Sequence, residues 1–306
     1  MKTANSNVLP AKPLALEDYR QLIALDDPFL PPVTDEWTSA ALVRTALDFL
    51  ESEHDSAGER DSLKSADDAR QLLRALLTVR PPAPLPRVVH EAIDVLLQLE
   101  RKARPMTEAA KLPRFRLPGM GMHTLFALWQ GDITTVVADA IVNAANDQLL
   151  GCFAPHHLCI DNAIHAAAGP RLREDCHRIM GAQGGPEPTA CAKVTRGYNL
   201  PSRFVLHTVG PIVGRALSNA HEAELAACYR ACLDLAVETG KIRSVVFCGI
   251  STGVFGFPKE PAARIALRTT REWFLEHPGA LDGVVFIVFS DSDKATYLKA
   301  IEELGQ

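Results

Sequence analysis

A loop near the middle of the chain concentrates the side chains best suited to bind a metal. Two thiols and an imidazole, those of Cys152, His157 and Cys159, lie in one turn-rich segment with the spacing C-x4-H-x-C. Zinc prefers thiolate and imidazole ligands, and three protein ligands leave one coordination position for water or substrate. The spacing does not exclude His156 as a competing ligand. Alternatively, both cysteines are buried small hydrophobes and His157 is a satisfied polar residue.

An acid follows this loop directly. Asp161 and His165 are spaced i, i+4 on a predicted helix, so they share one face. An acid beside a metal cation and a bound pyrophosphate could position or deprotonate a water molecule. In the alternative interpretation, Asp161 caps the helix and His165 is satisfied in the core.

A glycine-containing loop is a candidate anion site. It has the sequence Ser251-Thr252-Gly253-Val254-Phe255-Gly256 and precedes a helix predicted to begin near Pro258. A helix N-terminus offers free backbone N–H groups and a favourable dipole, so phosphate or pyrophosphate is the expected ligand. The segment is not a P-loop, because the Lys-Ser/Thr pair of that motif is missing. It could also be an ordinary connecting loop with proline in the first helical turn.

A third candidate segment contains Gly131 and Asp132, just after a predicted strand. The Asp132 carboxylate could accept hydrogen bonds from the exocyclic amine of a heterocycle. Gly-Asp is also a common turn dipeptide, so this segment alone is a weak signal.

These segments need a sheet to position them. From about Leu125, short apolar runs alternate with helical stretches, which is typical of a sheet covered by helices on both faces. Each candidate segment lies where a strand gives way to a polar loop, the edge at which open α/β sheets bind ligands. The predicted strands are Leu125 to Trp129, Ala140 to Asn143, Ala192 to Tyr198, Phe204 to Val209, Val245 to Gly249 and Val284 to Phe289.

The first part of the chain has a different pattern of apolar residues, which is helical and interrupted by prolines. Three amphipathic helices are predicted there. The first could start at Thr34, the second runs from a cap at Ser65 to the residue before Pro81, and the third ends near Pro105. No acids, histidines or cysteines pair there in a chemical pattern. We therefore predict a helical extension at 1–115, whose role is packing, followed by an α/β domain at 116–306.

Composition excludes several classes of protein. Hydrophobic residues make up 47% and charged residues 23%, which is ordinary globular composition. The formal net charge of -5 disfavours direct nucleic-acid binding. The N-terminal residues lack the apolar core of a signal peptide, and no window approaches the ~20 apolar residues of a membrane span. The expectation is a cytoplasmic protein with reduced cysteines and no membrane partner.

Taken together, the segments resemble the macrodomain, a three-layer α/β/α module that binds ADP-ribose. The resemblance extends over about residues 120 to 305 and follows the order of the family's motifs. The matching stretches are Gln130 to Thr134, Asp139 to Asn146, Ile160 to His165, Gly197 to Pro201, His207 to Pro211 and Ile250 to Pro258.

The chain departs from the common hydrolase pattern at one place. Cys152 to Cys159 replaces the glycine-rich run that normally precedes the acid of the helix. This replacement resembles the zinc-dependent macrodomains, a set of ADP-ribosyl hydrolases that also tend to carry a helical N-terminal extension. The resemblance implies Zn²⁺ on Cys152, His157 and Cys159.

The same resemblance implies a position for each part of ADP-ribose. It assigns the catalytic or water-positioning acid to Asp161 and the distal ribose to Asn146, which is also a candidate catalytic residue. Where some relatives have Tyr, this chain has Phe255, so a hydroxyl contact is in question. The implied binding residues are Asp132 and Ile133 for adenine, Ile160 at the start of the helix, and Ser251, Thr252, Gly253, Val254, Phe255 and Gly256 for pyrophosphate.

The sequence thus predicts a zinc-dependent hydrolase. Water would attack the anomeric carbon of the distal ribose and release ADP-ribose from a mono-ADP-ribosylated protein. The main alternative is a non-catalytic reader module that binds ADP-ribose or ADP-ribosylated proteins. A zinc nucleobase deaminase is disfavoured, because neither H-x-E nor C-x-x-C is present. The sequence does not distinguish a serine linkage from an aspartate or glutamate linkage.

Overall fold

The computed structural model describes residues 12–32, 37–53, 65–120 and 124–305. Its strands include several short ones that periodicity did not predict. They are β1 Thr107–Glu108, β2 Arg114–Phe115, β3 Leu125–Gln130, β4 Val136–Val137, β5 Ala140–Ala145, β6 Ala192–Arg196, β7 Phe204–Val209, β8 Ser244–Phe247 and β9 Gly283–Val288.

One mixed sheet has the strand order β2-β3-β9-β8-β5-β7-β6. The five strands from β3 to β7 in this order run parallel, while β2 and β6 pair antiparallel at the two edges. The two-residue strands β1 and β4 form a separate parallel pair. All residues of β7 and β9 are buried, which explains why β9 appears in the sequence as a continuous apolar run, whereas β7 includes the buried polar residues His207 and Thr208.

The helices flank this sheet and give the three-layer α/β/α architecture that was predicted. In one layer α8 packs against both α7 and α9, and in another α5 packs against α6. No helix in the described ranges has the length and apolar character needed to cross a bilayer. The helices are α1 Leu16–Tyr19, α2 Ser39–Ser52, α3 Ala66–Val79, α4 Arg87–Lys102, α5 Ile160–Ala168, α6 Pro170–Gln183, α7 Asn219–Thr239, α8 Lys259–Glu276 and α9 Asp291–Gly305.

Helices α2, α3 and α4 form a helical unit with its own apolar core, built from residues such as Leu42, Leu73 and Ile93. Helix α2 begins at Ser39, and the Thr38 side chain caps it. The predicted start at Thr34 lies outside the described residues. A proline pair ends α3, as predicted, and the Ser65 side chain caps it by accepting a hydrogen bond from a backbone N–H of its first turn.

Two segments before residue 116 contribute to the sheet domain. Leu16, Tyr19 and Ile23 belong to the core under the sheet, and the Tyr19 hydroxyl accepts a hydrogen bond from the backbone N–H of Val194 in β6. Strand β2 extends the sheet itself. The domain boundary at residue 115 therefore stays a prediction. The structure has two apolar cores, one in the helical unit and one under the sheet.

Several strand ends differ from the predicted ones by one or two residues. Strand β6 ends at Arg196 instead of Tyr198. Gly197 there donates a backbone hydrogen bond to Arg203, and Tyr198 has a φ of 51°, so the chain has already turned. Cys228 and Cys232 lie on α7 and are buried in the hydrophobic core, as the apolar stripe predicted.

Candidate functional site

The candidate segments meet at one edge of the sheet. Because β3, β9, β8, β5 and β7 run parallel, their carboxyl ends lie together, and the loops that follow them carry the predicted site residues. Direct hydrogen bonds connect these loops. Gln130, the last residue of β3, donates to the Phe289 carbonyl after β9, and the Val213 backbone N–H after β7 donates to the Phe255 carbonyl after β8.

The phosphate loop, Ser251 to Gly256, is a compact turn. Ser251 and Gly256 have positive φ values of 62° and 70°, and the Phe257 backbone N–H donates to the Ser251 carbonyl at 2.9 Å. The Thr252 hydroxyl donates to the Gly249 carbonyl at 2.9 Å. These bonds hold the ends of the loop together and leave its tip exposed.

The tip of the phosphate loop presents backbone donors. The N–H groups of Gly253, Val254 and Phe255 donate to no acceptor among the described residues, and α8 begins a few residues later. A Cβ atom added at Gly253 would meet no protein atom within 4 Å. This part of the chain therefore has the free donors, the space and the helix dipole that an anion requires.

Ser251 has a second feature that points to a polar ligand. Its side chain is buried, and its hydroxyl has no hydrogen-bond partner among the described residues. Gly210 allows the close approach, because a Cβ atom there would lie 2.0 Å from the Ser251 Oγ. An unpaired buried hydroxyl is costly, so this oxygen is suited to a ligand or an ordered water molecule.

The metal loop, Cys152 to Cys159, brings the three predicted ligands together. The donor atoms of Cys152, His157 and Cys159 all lie within 4.8 Å of one another, and the Cys152 Sγ is 3.3 Å from the His157 Nδ1. Tetrahedral zinc with ligands at ~2.0–2.3 Å keeps neighbouring donor atoms roughly 3.3–3.8 Å apart, so the residues fit this metal. The competing His156 is exposed and is not part of this group.

The end of the metal loop caps α5. The Cys159 Sγ accepts a hydrogen bond from the Asn162 backbone N–H at 3.4 Å, so the cap is a thiol and Asp161 does not serve as the cap. The Asn162 amide also donates to the carbonyls of Ala154 and His157. Burial raises the pKa of Cys159 to about 11, with a smaller contribution from the neighbouring Cys152 thiol. A cation would reverse this penalty on the thiolate.

Asp161 is buried beneath the metal loop. Its Oδ1 accepts a hydrogen bond from Asn143 in β5 at 2.8 Å, and no described residue donates to its Oδ2. Burial raises the pKa of Asp161 to about 6, against smaller lowering effects from Asn143 and from the charge of Arg173. The His165 Nε2 lies 3.5 Å from the same carboxylate, but neither ring nitrogen of His165 makes a hydrogen bond to a described residue.

Asn146 braces the start of the metal loop. Its amide nitrogen donates to the Gly151 carbonyl at 3.0 Å, and its amide oxygen accepts from the Gln148 backbone N–H. Ile160, the first residue of α5, is half-buried. Both residues lie next to the predicted metal ligands, and their assignment to substrate stays a prediction.

Asp132 lies two residues after β3, at the same edge of the sheet, and both of its carboxylate oxygens are paired. One carboxylate oxygen accepts from the backbone and hydroxyl of Thr134, and the other accepts from Arg104 at 2.5 Å. Burial opposes ionisation, but the Thr134 hydrogen bonds and the Arg104 guanidinium lower the pKa of Asp132 overall. Ile133 is buried. Sequence reasoning missed Arg104, because no local pattern relates it to a residue 28 positions later.

Sequence reasoning also missed Phe289. It was included in a predicted strand, but β9 ends one residue earlier and leaves its ring 83% exposed. Its carbonyl accepts a hydrogen bond from Gln130, so the ring stands at the same edge as Asp132. An exposed aromatic ring at the edge that also carries this carboxylate is suited to stack on a heterocycle.

Comparisons with known proteins agree with this geometry. The Macro domain family matches residues 142–266, which span β5 to α8. A protein-ADP-ribose hydrolase of Treponema medium is 45% identical over 76% of this chain and 87% of its own length. One from Staphylococcus aureus (strain MSSA476) is 40% identical over 84% of this chain and 95% of its own length. The chain belongs to the macrodomain family, among the protein-ADP-ribose hydrolases.

Solved structures show the same fold. A Trypanosoma brucei macrodomain in complex with ADP-ribose is 35% identical, with a TM-score of 0.54 over 78% of this chain and 97% of that one. An Oceanobacillus iheyensis macrodomain with ADP is 37% identical, with a TM-score of 0.55 over 63% of this chain and 95% of that one. The macrodomain fold predicted from the sequence is confirmed.

This macrodomain contains a second cluster of possible metal ligands, all buried: His165, Cys176 and His207. Thr195 and Asn143 already occupy the two ring nitrogens of His207, at 2.9 Å and 3.3 Å. Burial lowers the pKa of His207 to about 3. His207 is therefore a neutral, hydrogen-bonded residue of the core, with both ring nitrogens already paired.

Proposed function

We propose that this macrodomain is a zinc-dependent hydrolase that releases ADP-ribose from mono-ADP-ribosylated proteins. In this proposal, water attacks the anomeric carbon of the distal ribose. The observation that carries it is the convergence of Cys152, His157 and Cys159 within 4.8 Å, in the loop between β5 and α5. The unpaired N–H groups of the phosphate loop lie at the same edge of the sheet.

Residues of the chain's own loops supply the binding of ADP-ribose. The phosphate loop offers N–H groups to the pyrophosphate, and Ser251 adds an unpaired buried hydroxyl. Along the same edge, Asp132 after β3 offers a carboxylate and Phe289 after the neighbouring β9 offers an exposed ring to adenine. Asn146 stands beside the metal loop, where the distal ribose would lie. Fixing both ends of the substrate holds the scissile bond in place.

The metal loop and α5 would supply the chemistry. Cys152, His157 and Cys159 hold the ion; when bound, zinc supplies a Lewis acid beside the scissile bond. Asp161, two residues after the last ligand, keeps one oxygen without a donor among the described residues. With a pKa of about 6, it is mostly ionised at neutral pH and can accept a proton from an attacking water.

A reader module is the competing function. The phosphate loop and the adenine residues would serve recognition equally well, because backbone N–H groups bind a pyrophosphate without turnover. The metal loop favours catalysis, since recognition needs no thiolate cluster beside the ribose. Names of the related hydrolases support the same choice.

The test is release of ADP-ribose from a mono-ADP-ribosylated protein, followed under single-turnover conditions with and without a zinc chelator. The proposal expects release by the zinc-loaded protein and loss of release after chelation. Stoichiometric binding with no release over hours would support the reader. Release unaffected by complete metal removal would leave a hydrolase but overturn its zinc dependence. Defined serine, aspartate and glutamate linkages would identify the bond that is cleaved.

A further inference from the structure

We propose that Arg173 is a positioning residue through which the helical unit holds the metal loop in place. The inference rests on the proposed function, because the loop concerned is the proposed zinc site. It gives the helical unit a role in the site beyond the packing role predicted from the sequence. Arg173 lies in α6, between the two apolar cores.

The helical unit is docked on the macrodomain in one defined register. Asp94 in α4 is fully buried and accepts hydrogen bonds from Arg171 and from Asn199, each at 2.8 Å. The Gln98 amide donates to the Asn199 side chain at 2.8 Å. Buried, directional hydrogen bonds of this kind specify orientation, whereas apolar contact alone tolerates sliding. Whatever α3 and α4 present to α6 is therefore presented at a fixed place.

The helical unit presents Arg173 with a set of carbonyl oxygens. One guanidinium nitrogen, Nη1, donates to the carbonyls of Leu77, Thr78 and Arg80 at 2.8 to 3.1 Å. These carbonyls lie at the end of α3, where the following prolines prevent the helix from continuing and its last acceptors lack helical partners. A cation at this end is also favoured by the helix dipole.

The other side of the same guanidinium touches the metal loop. Its Cζ lies 4.6 Å from the centre of the Phe153 ring, the residue after the first predicted zinc ligand. Arg173 is only 7% exposed, whereas the Phe153 side chain that covers it is exposed. The charge of Arg173 also lowers the pKa of Asp161 against the effect of burial. The Arg173 side chain thus contacts both the end of α3 and the metal loop.

The metal loop has few other restraints. Residues 153–158 are all exposed, and the hydrogen bonds across the loop are those from the Asn162 amide, two local backbone bonds and the Cys152–His157 contact. A cation–π contact of this kind corresponds to about a two- to fivefold change in an equilibrium. Without Arg173, the metal-free loop should open more often and bind zinc more weakly, even though every ligand remains.

The test compares Arg173→Gln and Phe153→Ala with a matched control, Arg171→Gln. Arg171 lies on the same helix and also contacts the helical unit, through Asp94, but it does not touch the metal loop. In metal-free full-length protein, reaction of Cys152 and Cys159 with a thiol reagent, resolved by mass spectrometry, reports loop opening. Zinc affinity is measured by competition with a chromophoric chelator.

We expect Arg173→Gln and Phe153→Ala to speed modification of both thiols and to weaken zinc binding by about two- to fivefold or more. Arg171→Gln should change both values by less than about twofold, because Asn199 still donates to Asp94 and the Phe153 contact is intact. The two effects should be less than additive in the double variant, because both substitutions remove one contact. Phe153 is exposed enough that its variant tests the idea even if Arg173→Gln does not fold.

Unchanged thiol reactivity and zinc affinity in Phe153→Ala would overturn the proposal. An equal effect of Arg171→Gln would also overturn it, because general loosening of the interface would then explain the result. Failure of the proposed function is separable. If wild type releases no ADP-ribose but the thiol pattern holds, hydrolysis is wrong and the positioning role stands.

Discussion

Arg104 and Asp132 are joined by a 2.5 Å hydrogen bond between a guanidinium nitrogen and a carboxylate oxygen. Arg104 comes two residues after the end of α4, and Asp132 comes two residues after β3. The same guanidinium donates to the Thr134 hydroxyl at 3.2 Å. The segment that leaves the helical unit thus reaches the predicted adenine position, and a single strand, β9, separates β3 from the strand that precedes the phosphate loop.

Substitution of these two residues should separate contact from support. Asp132→Ala should weaken ADP-ribose binding about tenfold or more, since a hydrogen bond to a charged group contributes about 1.5–3 kcal/mol. Arg104→Gln should weaken it at most about fivefold, because ion pairs this exposed contribute about 0–1 kcal/mol. Calorimetric titration measures both. Equal losses would mean that Arg104 itself contacts the ligand.

Gly253→Val should obstruct the anion site without disturbing the fold. The added side chain would meet no protein atom near its Cβ, but it would occupy the space beside the free N–H groups. Affinity for ADP-ribose should fall at least tenfold, or ~1.4 kcal/mol. Gly181→Val, at an exposed site in α6 that is equally open, is the control. Unchanged affinity in the Gly253 variant would remove the phosphate loop from the site.

Cys159→Ser should remove zinc and hydrolysis while leaving most of the ADP-ribose affinity, because the predicted adenine and pyrophosphate contacts lie elsewhere. Zinc affinity of wild type should fall as pH drops, since its thiolate and imidazole ligands must lose protons to bind. Elemental analysis and single-turnover release measure the two effects. Cys191→Ser, a half-buried thiol outside the metal loop, should behave as wild type.

Asp161→Asn tests the role of the acid separately from that of the zinc ligands. It should retain zinc and slow hydrolysis by roughly 10²-fold, as expected for loss of a general base or water-positioning group. The amide can still pair with Asn143, so the variant avoids an empty buried site. A zinc-free Cys159→Ser protein with full activity would falsify the zinc mechanism.

Phe289→Ala should weaken ADP-ribose binding by about fivefold or more, because stacking on an aromatic ring contributes about 1–3 kcal/mol per base. Thermal stability should change little, since the ring is 83% exposed. Leu275→Ala, which removes an exposed apolar side chain from α8, is the control. If both variants bind ADP-ribose as wild type does, adenine does not stack on Phe289.

The free energy of unfolding should depend on pH through the protonation of His207. Burial lowers its folded-state pKa to about 3, below the ~6.5 of the unfolded chain. The unfolded chain therefore binds more protons between these values, and stability falls as pH drops through this window. From pH 7 to pH 5 the loss attributable to His207 is about 2 kcal/mol.

His207→Asn should remove this part of the pH dependence in urea unfolding of the metal-free protein. Asp161 acts with the opposite sign, because its raised pKa makes the folded state the better proton acceptor. The comparison is therefore between variant and wild type. Exposed His177→Asn should keep the wild-type profile. An unchanged profile in His207→Asn would contradict a buried neutral imidazole.

Much of the fold and the grouping of the candidate site follow from the sequence alone. Strand β9 is buried on both faces, so it appears as an unbroken apolar run, and α7 carries an apolar stripe that ends at a glycine. Ligand spacing in the metal loop is local, so C-x4-H-x-C is enough to predict that the donors can meet. Parallel strands then bring loops from distant parts of the chain to one edge.

Tertiary structure alone decided how the helical unit takes part. The contacts of Asp94 with Asn199 and of Arg173 with the end of α3 join residues about 90 to 105 positions apart, and no periodicity records such pairs. It also decided that a thiol caps α5 and that Asp161 is buried against Asn143. Sequence patterns report which face of an element is apolar. Which polar groups become buried partners depends on how the elements dock, because each such pair forms only when both sides are desolvated together.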